Sequence, residues 1–299
     1  MKMHLMLRAS RWPFLGASLL PYAYGAAAAG VTHFWYLALG AVAVAGTHLS
    51  ANLINDYADA RSGVDAADVT YYGFFGGSKL IQEKVLMPEQ YRLMAAWCAA
   101  AAAIAVTTLA ILMQNAAVLF LFAGILALGW AYSHAPMSLS YRMMGEGVIF
   151  LLFGPATVIG AAYIQRNEWP PVPILVASIP FGLLTTAILV SNEIPDHRDD
   201  AAGGKRNLVG LFGAQRGYVL FGLLVASAYC IMGGMFLAGW LHPLGLIALP
   251  ALELARRAAV IQRRQHADKA ALTVSSRLVI QMHALASVGL IAGVALCNA

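Results

Sequence analysis

Residues 52–65 read Asn-Leu-Ile-Asn-Asp-Tyr-Ala-Asp-Ala-Arg-Ser-Gly-Val-Asp, and they follow directly on an uncharged apolar run. If that run is a helix that continues to Asp59, then Asn52, Asp56 and Asp59 stand at i, i+4 and i+7 and share one face, as do Asn55 and Asp59. Carboxylates one turn apart repel each other, most strongly near hydrocarbon. The pattern therefore predicts a bound divalent cation, and hard oxygen ligands favour Mg²⁺ or Ca²⁺. The alternative is a solvated helix end just beyond a membrane span.

The composition indicates an integral membrane protein. Of the 299 residues, 60% are hydrophobic and only 11% are charged, and the mean hydropathy is +0.70, whereas soluble domains carry about 25% charged residues. The three cysteines fall in apolar runs without disulfide or zinc spacing. We therefore interpret the net charge of +5 as a topology signal. The expected partner is a lipid bilayer, and no nucleic acid is expected.

Nine apolar runs are long enough, at about 17–25 residues each, to cross a bilayer. An alternative for the first run is a signal peptide, but Pro13 and Pro21 bracket its start and the next run follows almost at once. We therefore predict nine spans within a single domain, residues 1–299. The predicted spans are 14–31, 34–54, 91–113, 116–134, 146–165, 172–192, 217–240, 243–261 and 277–298.

The distribution of charge predicts the orientation of these spans. Every one of the 19 Lys and Arg residues except Arg166 lies in the N-terminal tail, in a longer link or at a helix end beside one. The positive-inside rule places that face in the cytoplasm. We therefore predict a multi-pass protein of the plasma (inner) membrane, with an odd number of spans and the C-terminus outside.

A second acidic stretch, residues 192–208, ends the predicted sixth span. Asn192, Asp196 and Asp200 stand there at i, i+4 and i+8, again on one stripe. Pro195 interrupts the helical hydrogen bonds, and such disturbed helices are tolerated in membranes where they line a cavity.

The ends of the predicted second and sixth spans emerge on the same face because four spans separate them. We therefore predict an all-α membrane protein, with nine transmembrane helices around a cavity open to the cytoplasmic side. Two Mg²⁺ ions held from opposite walls would suit a diphosphate, whose oxygens bridge metals. The alternative is two independent, hydrated helix ends.

These motifs resemble those of the UbiA-type intramembrane prenyltransferases. The resemblance covers nearly the whole chain and rests on Asn52-Leu-Ile-Asn-Asp56-Tyr-Ala-Asp59 to Asp65, and on Asn192-Glu-Ile-Pro-Asp196 to Leu208. It implies nine transmembrane helices, with two Asp-rich motifs at the ends of helices 2 and 6 that bind a prenyl diphosphate through Mg²⁺.

Within that family, the chain looks most like the branch that prenylates 1,4-dihydroxy-2-naphthoate in menaquinone synthesis. The likeness lies in residues 9–21, in Tyr132 with Pro136, and in residues 141–146. That branch usually has a basic residue where Pro195 stands and Gly-Leu at 143–144, where this chain has Met-Met. The departures concern the acceptor and not the metal site.

Ionisation of an allylic diphosphate needs stabilisation of the departing oxyanion and exclusion of water. Asp56, Asp59, Asp196 and Asp200 are the predicted catalytic metal ligands, Asp65 is a further ligand, and Asn52 and Asn192 are neutral ligands or orienters. The predicted substrate-binding residues are Asn52, Asn55, Asn192, Lys79, Tyr132, Tyr141, Arg142, Lys205 and Arg206. For the basic residues, the alternative is an ordinary positive-inside charge.

The link over residues 55–90 is long for a compact helical protein, and such links are often lids. Its Gly73, Gly76 and Gly77 could let the backbone approach a diphosphate, and we expect a short helix near 80–86. His48 lies one turn before Asn52, either facing the cavity or as a buried, hydrogen-bonded histidine.

Two other functions remain open from the sequence. A terpene cyclase would keep the fold and the metals but close the prenyl cation on itself. A cation-coupled transporter would also have intramembrane acids and broken helices, although its sites would lie near the midplane and not at helix ends.

Overall fold

The computed structural model describes residues 3–63 and 68–296, and within those ranges it is helical, without a strand. The α-helices are α1 (Met3–Ala9), α2 (Gly16–Ala29), α3 (Phe34–Ser62), α4 (Pro88–Leu112), α5 (Ala117–Ser133), α6 (Gly145–Leu151), α7 (Thr157–Arg166), α8 (Val172–Ala202), α9 (Leu208–Phe212), α10 (Gly217–Leu237), α11 (Ala251–Arg264) and α12 (Lys269–Ala295).

Each of the nine predicted spans overlaps helical residues in the part of the chain that the structure describes. Six helical stretches are long and apolar enough to cross a membrane, namely Phe34–Ser62, Pro88–Leu112, Gly145–Arg166, Val172–Ala202, Ala214–Leu237 and Lys269–Ala295. The chain is thus a multi-pass integral membrane protein. The predicted spans at 14–31, 116–134 and 243–261 fall on shorter helices, and the last of these begins with a 3-10 turn, Pro243–Ala248.

Helices α3 and α8 continue well past their apolar runs. The last turns of α3 carry the first acidic stretch, and the helix stops where Gly63 takes a left-handed φ of 82°, a common helix ending. Helix α8 runs through Pro195 and ends at Ala202, followed by Gly203. The acidic residues therefore occupy the last turns of two long helices, as their spacing predicts.

A π-turn, Leu152–Ala156, joins α6 to α7. It contains Pro155, which has no N–H to give to a regular helical ladder, and such turns often lie at functional sites. The ring of Phe153 meets the ring of His48 edge-on, with centroids 5.1 Å apart. The π-turn thus places an aromatic side chain against the middle of α3.

Residues 68–87, here called the strap, connect toward α4 without a helix. The expected short helix near 80–86 is wrong: the segment forms turns, and Lys79 and Lys84 have left-handed φ values of 60° and 58°, which end helical hydrogen bonding. Leu80 is nonetheless fully buried with Leu53 and Tyr91. The strap is therefore packed onto the helices beneath it.

The largest hydrophobic cluster joins α8 to α10, α11 and α12. Leu184 and Ile194 of α8 are completely buried in it, and so is Met282 of α12. Phe75 of the strap belongs to the same cluster with only 3% of its surface exposed. Packing therefore fixes the acidic end of α8 and the strap in one unit.

Candidate active site

The acidic ends of α3 and α8 line one cavity of about 190 Å³, and the strap lies against it. The cavity brings together most of the residues that the sequence singles out. Those that line it are Asn52, Asn55, Asp59, Lys79, Tyr132, Asn192, Asp196, Asp200 and Lys205.

At the end of α3, both predicted catalytic aspartates are buried, and of the two Asp59 lines the cavity while Asp56 lies behind its lining. Asp56 accepts a hydrogen bond from the backbone N–H of Ser78 at 3.0 Å and pairs with the guanidinium of Arg11. Asp59 accepts a 2.8 Å hydrogen bond from the hydroxyl of Tyr141. Burial raises the pKa of Tyr141, and the Asp59 carboxylate raises it further. Tyr141 therefore stays a donor at neutral pH.

On the α8 wall, the carboxylates are held in a similar way. Asp196 accepts a 2.9 Å hydrogen bond from the backbone N–H of Gly76. Asp200 accepts one from the side-chain amide of Asn207 at 2.9 Å, and the ammonium of Lys205 lies 3.5 Å from its other oxygen. Each of the four aspartates thus has at least one oxygen held by a donor outside its own helix, as metal-ligating carboxylates commonly do, and Asp56 and Asp200 have both oxygens so held.

The basic residues divide into two groups. Lys79 and Lys205 line the cavity, and the left-handed backbone at Lys79 accompanies a side chain that is only 3% exposed. Burial would lower the pKa of Lys205, but the carboxylates of Asp59 and Asp200 outweigh it and hold that pKa well above the usual range. Lys205 therefore remains a cation at neutral pH.

Arg142 and Arg206 lie outside the cavity lining. Both are exposed. The guanidinium of Arg142 donates to the carbonyl of Pro136 at 2.8 Å, and the carbonyl of Arg206 accepts from the N–H of Met143 at 3.0 Å. In this conformation the two arginines stabilise neighbouring loops.

The three asparagines differ in the atom that they leave for a ligand. The amide nitrogens of Asn52 and Asn55 donate to the Ser10 carbonyl and the Ser133 hydroxyl, at 3.4 and 3.1 Å. The amide oxygen of Asn192 accepts from the Ser276 hydroxyl at 3.0 Å. The α3 wall therefore offers amide oxygens, which suit a cation, and the α8 wall offers an N–H donor, which suits an anion.

Sequence reasoning missed five charged residues of the cavity, namely Arg11, Asp68, Glu193, Asp199 and Lys269. Glu193 stands at i, i+3 and i+7 with Asp196 and Asp200, a spacing that would have revealed it. Its side chain is buried, and one carboxylate oxygen has no hydrogen-bond partner. Arg11, Asp68 and Lys269 come from distant parts of the chain, namely the turn after α1, the strap and the start of α12, and no local pattern identifies them.

The chemistry of the donors suits Mg²⁺, although within residues 3–63 and 68–296 no three acidic, histidine or cysteine side chains converge as a ready-made metal site. Mg²⁺ usually takes one or two carboxylates and completes its shell with water and substrate phosphates. Asp65 lies outside the residues that the structure describes.

A second cavity of about 140 Å³, here called the apolar chamber, adjoins the first. The two share Ala51 of α3, Gly129 of α5, and Leu152 and Phe153 of the π-turn. His48 also borders both, and its ring hydrogen-bonds to the Ser18 hydroxyl at 2.8 Å, so both predicted placements of His48 hold. An acidic compartment thus borders an apolar one inside the helix bundle.

Comparison with a family model and with known protein sequences gives the same family in each case. Residues 18–285 match the model of the UbiA prenyltransferase family. The chain is 32% identical over 248 residues to 1,4-dihydroxy-2-naphthoate octaprenyltransferase of Mycobacterium tuberculosis, covering 81% of this chain and 80% of that protein. It is 30% identical over 250 residues to UbiA prenyltransferase domain-containing protein 1 of Danio rerio, covering 80% and 70%.

Among solved structures, a UbiA homologue from Archaeoglobus fulgidus bound to DMAPP and Mg²⁺ superposes with a TM-score of 0.63. The match covers 95% of this chain and 99% of that one at 18% sequence identity. At that identity the likeness concerns the fold.

Proposed function

Since this chain belongs to the UbiA prenyltransferase family, we propose that it transfers a prenyl group from a prenyl diphosphate to an aromatic acceptor, with Mg²⁺ as its cofactor. The observation that carries the proposal is the junction of the acidic cavity with the apolar chamber. A prenyl diphosphate has the same division, with a charged head and a hydrocarbon tail. In this proposal residues 1–299 form one domain in the plasma membrane, with the cavity facing the cytoplasm and the C-terminus outside.

The carboxylates of both walls would hold the metal. Asp56, Asp59, Asp196 and Asp200 supply hard oxygen ligands, with Asn52 and Asp65 as further ligands. Bound Mg²⁺ would neutralise charge on the diphosphate as the carbon–oxygen bond breaks. The strap and the packed helices exclude water from the allylic cation.

The two lysines of the cavity complete the electrostatic stabilisation. Lys79 and Lys205 line the cavity together with the amide of Asn192, and each can donate to a diphosphate oxygen. Because both ammonium groups are already in place, little reorganisation is needed as charge develops on the leaving group.

The acceptor belongs beside Tyr132 and Glu193, which line the cavity. The unpartnered carboxylate oxygen of Glu193 gives an acceptor hydroxyl a hydrogen-bond partner, and Tyr132 offers an aromatic ring. The Mycobacterium tuberculosis relative is named for 1,4-dihydroxy-2-naphthoate. We infer the same acceptor here, with loss of its carboxylate on prenylation, in a step of menaquinone synthesis.

The decisive experiment incubates the purified protein with Mg²⁺, prenyl diphosphates of increasing length and a panel of aromatic acceptors, followed by mass analysis of the products. A prenylated naphthoquinol would support the proposal. Cyclised hydrocarbon formed without acceptor would indicate a terpene cyclase, and ion flux in proteoliposomes without any product would indicate a transporter.

The metal site has its own test. Asp56→Ala or Asp196→Ala should abolish turnover while the protein still inserts and purifies normally, because each removes a carboxylate from one wall. Glu168→Gln, an exposed acid outside the cavity, is the control and should retain full activity. Near-normal turnover in either aspartate variant would contradict metal binding from both walls.

A further inference from the structure

We propose that Lys269 is a positioning residue that holds the strap across the cavity, so that the strap backbone orients the aspartates. Lys269 is the first residue of α12 and has no place in either acidic motif. The expected effect on turnover rests on the proposed function, whereas the contacts of Lys269 with Asp68 and Asp199 are read from the distances between their atoms.

Lys269 joins three separate parts of the chain. Its ammonium lies 2.7 Å from a carboxylate oxygen of Asp68 in the strap and 2.9 Å from one of Asp199 in α8. The three side chains are 23–27% exposed, so water screens the interaction only in part. Asp199 does not share the helix face of Asp196 and Asp200, and its carboxylate pairs with the ammonium group of Lys269.

From Asp68 the contact continues to the centre of the strap. Asp68 accepts hydrogen bonds from the N–H of Thr70 at 2.9 Å and the hydroxyl of Tyr72 at 3.2 Å. The ring of Tyr72 stacks on that of Phe75, with centroids 4.8 Å apart and planes at 19°. Gly76, whose N–H orients Asp196, is the next residue. A continuous chain of contacts therefore connects Lys269 to Asp196.

The other end of the strap is fixed independently. Arg8 donates to the carbonyl of Ser78 at 2.9 Å and to the Glu83 carboxylate at 2.5 Å, and the hydroxyl of Ser78 bonds that of Tyr91 at 2.5 Å. Loss of Lys269 should therefore release the Gly76 end of the strap and leave the Ser78 end in place.

The experiment compares Lys269→Met with Lys84→Met, a matched loss of charge at an exposed strap residue, and with Lys269→Arg as the conservative variant. Hydrogen exchange of the metal-free protein reports on the strap, and Mn²⁺ titration reports on the metal site. Steady-state kinetics with a prenyl diphosphate separates KM from kcat.

In Lys269→Met, exchange should increase over residues 69–76 and stay unchanged over 79–86. Mn²⁺ affinity should fall about tenfold, as is typical when groups that orient metal ligands are lost, and KM for the diphosphate should rise by more than kcat falls. Lys269→Arg should recover most of the affinity, and Lys84→Met should match the wild type.

Unchanged exchange and Mn²⁺ affinity in Lys269→Met would overturn the positioning role while leaving the proposed function intact. Equal loss of protection across the whole strap would overturn it too, since that result indicates general destabilisation. A wild-type protein that binds no Mn²⁺ and makes no product would instead overturn the proposed function, and with it the link between the strap and the metal.

Discussion

The backbone N–H of Gly76 donates a 2.9 Å hydrogen bond to a carboxylate oxygen of Asp196, a residue 120 positions further along the chain. The donor belongs to the strap and the acceptor to the last turns of α8. A main-chain group has a single geometry available, so this bond fixes the direction of the carboxylate more firmly than a flexible side chain could.

Gly76→Ala should weaken the metal site. Gly76 has a φ of +68°, and a Cβ there would lie 3.5 Å from the nearest atom of Lys79, so space is adequate but the backbone is strained by about 1–2 kcal/mol. Relief by peptide rotation would turn the N–H away from Asp196. We expect about tenfold weaker Mn²⁺ binding, measured by titration.

Gly73→Ala is the matched control for this change. Gly73 has a φ of +89° with no atom within 4 Å of a built Cβ, so the variant carries similar strain without the contact to Asp196. Equal loss of Mn²⁺ affinity in both variants would show that strain alone is responsible.

Tyr141→Phe should lower turnover about tenfold because it removes the hydroxyl that orients Asp59. A loss of that size is typical when a hydrogen-bond partner of a metal ligand is removed. The variant keeps the ring and its packing. The measurement is kcat/KM at saturating and limiting Mg²⁺, and the loss should be larger at limiting Mg²⁺. Tyr218→Phe, on α10 and outside the cavity lining, serves as the control, and a loss independent of Mg²⁺ would contradict the assignment.

Gly160→Leu should shorten the prenyl chain that the enzyme uses. Gly160 lines the apolar chamber, and a Cβ there meets nothing within 4 Å, so the new side chain can enter the space without a clash. Each methylene kept out of an apolar site costs about 0.8 kcal/mol, so KM should rise at least about tenfold for long diphosphates and little for short ones.

Gly147→Leu tests whether the effect belongs to the apolar chamber. Gly147 is an exposed α6 residue with the same open space around it, but it does not border the apolar chamber. Competition between diphosphates of different length gives the preference directly. An identical shift in both variants would place the tail elsewhere.

The contact between Asp68 and Lys269 should resist acid. Burial alone would raise the pKa of Asp68, but hydrogen bonds from Lys269 and Thr70 hold it well below its usual range. The unfolded chain therefore binds the proton first, so the contribution to stability is complete above the ordinary pKa of about 3.9 and is lost progressively as the pH falls from there toward the lower folded-state pKa. The difference in unfolding midpoint between the wild type and Asp68→Asn should stay constant from pH 7 to pH 5 and shrink progressively below about pH 4. A difference that already shrinks between pH 7 and pH 5 would contradict the assignment.

The sequence predicted the helices and the acidic walls because both depend on local spacing. Asp59 lies one turn from Asn55, and Asp200 lies one turn from Asp196. Because α3 and α8 continue past their apolar runs, that spacing places each pair on one face of its helix. The same argument could have included Glu193. The sequence could therefore predict which acidic residues lie together at the end of α3 and which at the end of α8.

The contacts between the walls depend on distant parts of the chain. The N–H groups of Gly76 and Ser78 carry no side-chain signal, and Lys269 is separated from Asp68 by 201 residues. The strap also forms turns where a helix was expected, because two lysines adopt left-handed backbone there. Tertiary packing determines such backbone conformations, and the hydrophobic periodicity of a sequence carries no information about that packing.

The π-turn at residues 152–156 has a consequence for how this chain can diverge. Such a turn holds one residue more than an α-helical turn would, and each residue of an α-helix advances by about 100°. Deleting a single residue there would restore a continuous helix and rotate all of α7 relative to α6, carrying Gly160 and Tyr163 away from the apolar chamber. Descendants of this sequence should therefore accept substitutions between 152 and 156 far more readily than a change in the number of residues.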